Sequence, residues 1–230
     1  MVVLGKVLAP LHPDGVKFVL AAVVATGLLF LAAGPAGWVA LVLTLWLIYF
    51  FRDPWRVTPL REGVLVSPAD GIVTSVTQAP PPAELAMGDG EVARISIFLS
   101  IFDVHVTRAP VGGRVVALCY TKGRFLNAID EEASVHNERL AIRLAPVAGP
   151  EIAFVKVAGL IARRIVCDLR QGQRIAAGQR VGIIRFGSRV DVYCPPPYVT
   201  MVVAGQRMIG GETVIADRLA PEPVRQGSAH

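Results

Sequence analysis

Residues 46–71 read WLIYFFRDPWRVTPLREGVLVSPADG, and this stretch decides how the chain is divided. A long apolar run stops at Arg52-Asp53-Pro54, and the compact polar turn Ser67-Pro68-Ala69-Asp70-Gly71 follows soon after. Upstream the pattern is that of helices in lipid. Downstream it is that of short strands and turns. An embedded segment thus hands over to a loop able to hold a carboxylate in a site, which points to work at a bilayer surface.

Toward the N-terminus, the apolar run splits at Gly34-Pro35-Ala36-Gly37 into FVLAAVVATGLLFLAA and WVALVLTLWLIYFF, neither with a charge. Each is a little shorter than the ~20 residues of a full span. A secretory signal fits poorly, because the apolar length is doubled and no convincing cleavage site follows. Lys6 and Lys17 precede the pair, and Arg52, Arg56 and Arg61 follow it. The positive-inside tendency puts both flanks on the cytoplasmic side, with Gly34 to Gly37 at the tip of a hairpin. Trp46, Tyr49 and Trp55 suit an interfacial belt. The competing reading is a helical hairpin buried in a soluble core. The uncharged length favours the membrane.

The hydrophobic fraction of 53% and mean hydropathy of +0.53 are high for a soluble globule, and most of the excess lies between Phe18 and Phe51. A formal charge of +5 is dispersed as single arginines without interleaved aromatics, so it suits an anionic leaflet and not nucleic acid. Cys119, Cys167 and Cys194 are odd in number and far apart, which excludes a disulfide framework or zinc cluster and predicts free buried thiols. His12 and His230 read as solvated residues near the ends.

Beyond Arg61, β-branched runs recur between Gly and Pro punctuation: 63–66, 71–76, 92–99, 113–118, 139–144, 152–157, 181–184 and 189–193. This spacing predicts a mostly β sandwich or barrel. The most helix-like piece of the body is Leu160 to Leu169. Around Gln171 to Gly182, glycines bracket what reads as paired short strands, a rhythm similar to the barrel-sandwich hybrid of biotinyl and lipoyl carriers. No lysine stands there to be modified, so the similarity concerns architecture alone.

Chemistry-bearing residues cluster in a few polar turns. Taken singly, each has a plain structural reading. Asp70 before Gly71 is a common turn former, Gly187-Ser188 a common turn pair, and His105 in a β-branched run a satisfied core residue. No Gly-x-Ser-x-Gly elbow surrounds Ser188, which argues against a serine hydrolase. Together with Lys122 to Ala128 and Ser134 to Arg139, however, they supply more functional groups than structure alone requires.

The ordered set FFRDP (50–54), SPADG (67–71), FLSIFDVHVTRAP (98–110), KGRFLNA (122–128), HNER (136–139) and FGSRVD (186–191) resembles the short form of phosphatidylserine decarboxylase. The resemblance covers Phe50 to Tyr193. It implies a pyruvoyl enzyme that cleaves itself between Gly187 and Ser188, giving chains of about 1–187 and 188–230. Ser188 would become the pyruvoyl cofactor, with no metal. That group would take the serine amine of phosphatidylserine into a Schiff base, accept the electrons released with carbon dioxide, and yield phosphatidylethanolamine. By the same resemblance His105 handles proton transfer, and Asp70 orients a partner or assists cleavage. A longer branch of the family carries a second histidine three positions beyond the one matching His105, and a threonine after the serine. Here those places hold Arg108 and Arg189, so an Asp-His-Ser triad does not carry over intact. The base for cleavage is left open, with His136 as a substitute and Arg108 as a binder of lipid phosphate or carboxylate.

The expected organisation is a membrane hairpin at 1–56, a β-rich pyruvoyl decarboxylase domain at 57–217 with a barrel-sandwich-hybrid-like body on the cytoplasmic face of the cell membrane, and a flexible tail at 218–230. A homo-oligomer is allowed. Two alternatives stand: a pyruvoyl decarboxylase for another amine, and a membrane-tethered carrier or binding module without enzymatic activity.

Overall fold

A computed structural model describes residues 9–129, 133–159, 165–185, 187–221, 225 and 227. It divides into two compact units, the first ending at Trp55 and the second beginning at Arg56. Phe186, His230 and most of the tail expected at 218–230 lie outside the described residues.

The first unit is built on two helices, α1 (Pro13–Ala33) and α2 (Pro35–Phe50). Proline at the first helical position suits both starts, since its missing N–H would have no helical partner there. Gly34 separates the helices at φ +27°, where a side chain would be strained. His12 caps α1: its Nδ1 accepts from the Asp14 amide at 3.3 Å, and it is 6% exposed. The expectation of a solvated His12 is therefore corrected, because the cap satisfies an orphan N–H of the first turn. The helices meet along small and polar positions. The Thr26 and Thr44 hydroxyls lie 2.9 Å apart, while Gly15 admits Phe51 and Gly37 admits Phe30. The large apolar side chains point outward; Leu28 is 61% exposed and Leu31 87%. At ~1.5 Å per residue α1 reaches about 30 Å, enough to cross a hydrocarbon core, whereas α2 is shorter.

The second unit is mainly β, the expected fold class behind an apolar hairpin. An antiparallel eight-stranded sheet runs in the order β12 (Arg207–Met208), β2 (Gly71–Ala79), β3 (Val92–Leu99), β10 (Ser188–Cys194), β7 (Ile152–Ala158), β6 (Arg139–Pro146), β5 (Gly113–Thr121) and β8 (Arg174–Ile175). A three-stranded sheet joins β1 (Val64–Val66), β13 (Val214–Asp217) and β11 (Val199–Thr200); β4 (Val106–Arg108) pairs with β9 (Arg180–Ile183). Side-chain alternation gives the large sheet two faces. Ile95, Ile97 and Leu99 of β3, Val190 and Val192 of β10, and Ile152 and Phe154 of β7 enter the main core. Tyr193, Val155 and Val157 face a smaller cluster with Leu85 and with Ala133 of the short helix α3 (Ala133–His136).

Two local expectations differ from the structure. The described part of the helix-like stretch is extended, because Val166 and Asp168 donate backbone bonds to Ile183 and Val181. The short strands between Gln171 and Gly182 do not pair with each other; β8 pairs with β5 and β9 with β4. Long-range partners override local pattern in both places. Cys119, Cys167 and Cys194 are free thiols; Cys194 is buried and the other two are partly so.

Candidate active site

β10 lies at the centre of the large sheet between β3 and β7, and Ser188 is its first residue, opposite Leu99 and Ala158. Alternation along β10 sends Ser188 toward the main core and Arg189 to the opposite face. Ser188 is fully buried, and its Oγ has no hydrogen-bond partner among the described residues. Leaving a buried hydroxyl unsatisfied costs about 1–3 kcal/mol, so the group is kept for some purpose other than stability.

Gly187 precedes it at φ +60°, with nothing within 4 Å of where a Cβ would stand. Conformation, and not lack of space, requires glycine here. Its carbonyl oxygen rests against Gly159, where a Cβ would collide with it. The Gly187 N–H donates to His105 Nε2 at 3.2 Å. The other ring nitrogen, Nδ1, is 3.0 Å from the Asp103 carbonyl. An accepting Nε2 and a donating Nδ1 assign the neutral tautomer with its proton on Nδ1. His105 is wholly buried, so this basic nitrogen is held against the peptide unit that enters the Gly187–Ser188 bond.

The motifs around this bond act as clamps. Asn137, fully buried, accepts from the Leu126 amide at 2.9 Å and donates to the carbonyls of Leu126 at 2.9 Å and Ala158 at 2.8 Å. It thereby ties the 122–128 loop to the end of β7, beside Gly159. Arg189 donates to the Ala128 carbonyl at 3.2 Å and pairs with Asp191 at 2.9 Å, both side chains almost fully buried. Ser134 donates to the same carboxylate at 2.8 Å. Arg189 is thus a brace behind the serine.

Asp70 closes the Ser67–Asp70 turn that leads into β2. Its carboxylate accepts from Arg56 at 2.7 Å and from the Gly210 amide at 2.8 Å. Burial raises its pKa above the ordinary carboxylate range, with the Arg56 cation acting in the opposite direction. Asp103, whose charge also raises Asp70, accepts from the Ser100 amide and hydroxyl and pairs with Arg207. Arg108 is buried and donates to the Gly178 carbonyl at 3.1 Å, and its amide donates to Pro68, fixing the turn that carries Asp70. His136 is exposed on α3. The structure therefore gathers Gly187, Ser188 and His105 tightly, sets Asp70 on the adjoining turn and Arg108 at the end of β4, and puts His136 at the surface.

Sequence reasoning missed four contributors. Gly159, Asn137 and Arg56 act through contacts distant in sequence; HNER contains Asn137, and Arg56 stood out only as a basic flank of the hairpin. The fourth is Lys156, fully buried on the Ser188 face of the sheet, opposite Val190. Its ammonium donates to the Val166 carbonyl at 2.7 Å, and burial pulls its pKa down to about 8. Among the described residues no cluster of His, Cys, Asp and Glu could hold a metal. The orphan Ser188 hydroxyl, the left-handed Gly187 and the adjacent basic nitrogen do fit a prosthetic group made from Ser188 itself.

Comparisons with known proteins identify the family of the chain. The family model for phosphatidylserine decarboxylase matches residues 43–216. A phosphatidylserine decarboxylase proenzyme of Cereibacter sphaeroides is 52% identical over 228 residues, covering 98% of this chain and 97% of the relative. Proenzymes of the same name from Paramagnetospirillum magneticum and Ruegeria pomeroyi are each 51% identical, over 95% and 91% of this chain and 91% and 96% of their own lengths.

Proposed function

Because the chain belongs to the phosphatidylserine decarboxylase family, we propose that it removes the carboxyl group of phosphatidylserine to give phosphatidylethanolamine, after cleaving itself between Gly187 and Ser188. The observation that carries the reading is the buried, unbonded Ser188 Oγ beside a left-handed Gly187 whose amide rests on His105 Nε2.

In maturation, Ser188 Oγ attacks the Gly187 carbonyl carbon; a C–O bond forms, the C–N bond breaks, and an ester replaces the peptide. We assign His105 Nε2 as the base for the hydroxyl proton, since His136 is at the surface. Loss of the Ser188 α-proton then expels the Gly187 carboxylate and leaves a dehydroalanine. Water converts that residue to a ketone as ammonia departs. Gly187 permits the turn that presents its carbonyl, and Gly159 leaves room for the oxygen. Once formed, the pyruvoyl group supplies a carbonyl that the substrate amine engages and a sink for the electrons freed as carbon dioxide leaves. No step calls for a metal.

In turnover, His105 returns a proton to the substrate's α-carbon. Asp70, held by Arg56, orients the turn beside the site, and Arg108 is the cation we assign to the lipid's anionic groups. Residues 1–56 place the body at the cell membrane, and the basic flanks Lys17, Arg52, Arg56 and Arg61 put residues 57–217 on the cytoplasmic face. The partners are the membrane lipid and the two chains derived from one precursor.

The test is direct. Purified protein incubated with phosphatidylserine should release carbon dioxide and run as two chains under denaturing conditions. Ser188→Ala should do neither. A Ser188→Ala protein that still splits and decarboxylates overturns the assignment.

A further inference from the structure

Three segments carry the polar groups beside the candidate site: Asp70-Gly71-Ile72, Ser100 to His105, and Arg207 to Gly210. Each also exposes a large apolar side chain. Ile72 is 42% exposed, Ile101 37%, Phe102 58% and Ile209 40%. Single exposed apolar residues are ordinary, but a contiguous group is not.

Register makes these contiguous. Arg207 lies opposite Ile72 in the β12–β2 pair. Met208, 2% exposed, turns into the main core, so alternation sends Arg207 and Ile209 outward, Arg207 across from Ile72 and Ile209 diagonal to it. The ion pair between Arg207 and Asp103 then brings the Ser100–Asp103 turn, with Ile101 and Phe102, to the same rim. That turn is preorganised. The Asp103 amide donates to the Ser100 carbonyl at 2.9 Å, and the Asp103 carboxylate accepts twice from Ser100 at 2.8 Å. The apolar pair is therefore displayed by a braced turn.

The charges select the occupant. Both carboxylates on these segments are turned inward onto arginines, Asp70 onto Arg56 and Asp103 onto Arg207. The Arg207 side chain stays 62% exposed. The rim therefore presents apolar carbon with positive charge and hides its negative charge, a pattern complementary to an anionic leaflet.

We propose that this rim is a membrane-docking surface of the catalytic body, separate from the hairpin, which enters the headgroup layer of an anionic leaflet so that a lipid reaches the site without leaving the bilayer. The inference rests on the function proposed above. It explains why the segments that frame the chemistry are also the ones that expose apolar side chains.

The experiment uses full-length protein in vesicles of phosphatidylglycerol and phosphatidylcholine, with phosphatidylserine as substrate. A protein carrying Ile101→Ser and Phe102→Ser should lose tenfold or more in rate on the bilayer lipid. In detergent, its rate on a short-chain, monomeric phosphatidylserine should match that of the parent. In parallel, the added emission of Phe102→Trp over the parent should be quenched by lipids brominated on their acyl chains, and that of a Val147→Trp control should not. Equal loss on both substrates would overturn the proposal, as would a full rate on vesicles, absence of quenching, or a loss that tracks a change in oligomeric state. If the parent decarboxylates neither substrate, the function fails, and the bromine quenching still decides the docking.

Discussion

The hairpin and the body turn their apolar side chains in opposite directions. In the hairpin, Leu20, Val24, Leu28 and Leu31 face outward while Thr26 and Thr44 meet inside. In the body, Ile95, Ile97, Phe154 and Val192 are fully enclosed. On the membrane role proposed for residues 1–56, each unit satisfies a different solvent. In hydrocarbon, an outward leucine costs nothing and a shared hydroxyl is a useful contact; in water the preference reverses. A buried hairpin of a soluble core would have covered its leucines, so the inverted pattern carries the membrane reading better than length alone.

The body makes an exception to its own rule at the site, where His105, Ser188 and Lys156 are polar and buried. The largest effect should come from that exception. His105→Gln should slow processing and decarboxylation by roughly 10²–10⁴-fold, read by the rate at which two chains appear and by carbon dioxide release. Full activity in that variant would remove the imidazole from both steps.

Next in size is a test of the inversion. Val24→Lys, near the middle of α1, should weaken membrane insertion by about 2.5–3.5 kcal/mol, whereas Val147→Lys on the body should change stability by no more than about 0.5 kcal/mol. Partition between vesicle and soluble fractions reads the first, and denaturant unfolding the second. Similar responses at both places would erase the distinction between the two solvents.

Lys156 sharpens the comparison from inside the body. Its folded pKa of about 8 lies below the unfolded value of 10.5, so the fold carries the cost of a buried cation below pH 8. That cost is relieved as the pH rises from 8 toward 10.5. The parent should therefore gain roughly 3 kcal/mol of stability across this window relative to Lys156→Met, in denaturant titrations of the full chain in detergent. Parallel pH profiles for the two proteins would show that the amine is not desolvated.

The smallest effect concerns Asp70. Burial already raises its pKa against the pull of Arg56, so Arg56→Met should move the acid limb of the pH–rate profile upward, and Arg56→Lys should restore it. An unmoved limb would mean that Asp70 is not required in its ionised form.

Much of this was legible in the sequence because it is locally encoded. The uncharged runs around Gly34 to Gly37 announced the hairpin, and β1, β2, β3, β5, β6, β7, β9 and β10 each left a β-branched run. Strands of two to four residues such as β8, β11, β12 and β13 left none, since their pairing is dictated by distant partners. His12 looked solvated because a cap is visible only once the helix start is known. At the site, the motif order marked Ser188, His105 and Asp70. What they touch was not encoded locally: Asp70 meets an arginine from the hairpin exit, and Gly159 approaches Gly187 across two sheet strands. Lys156, in a run of strand residues, gave no sign that its amine turns inward.

The state of the bond between residues 187 and 188 decides whether the chain matures by self-cleavage. Intact mass of active, freshly purified protein should show one component ending at Gly187 and another spanning residues 188–230, the latter with a ketone in place of its first amine and reducible by borohydride. Active protein consisting of one unbroken 24.6 kDa chain would contradict this maturation.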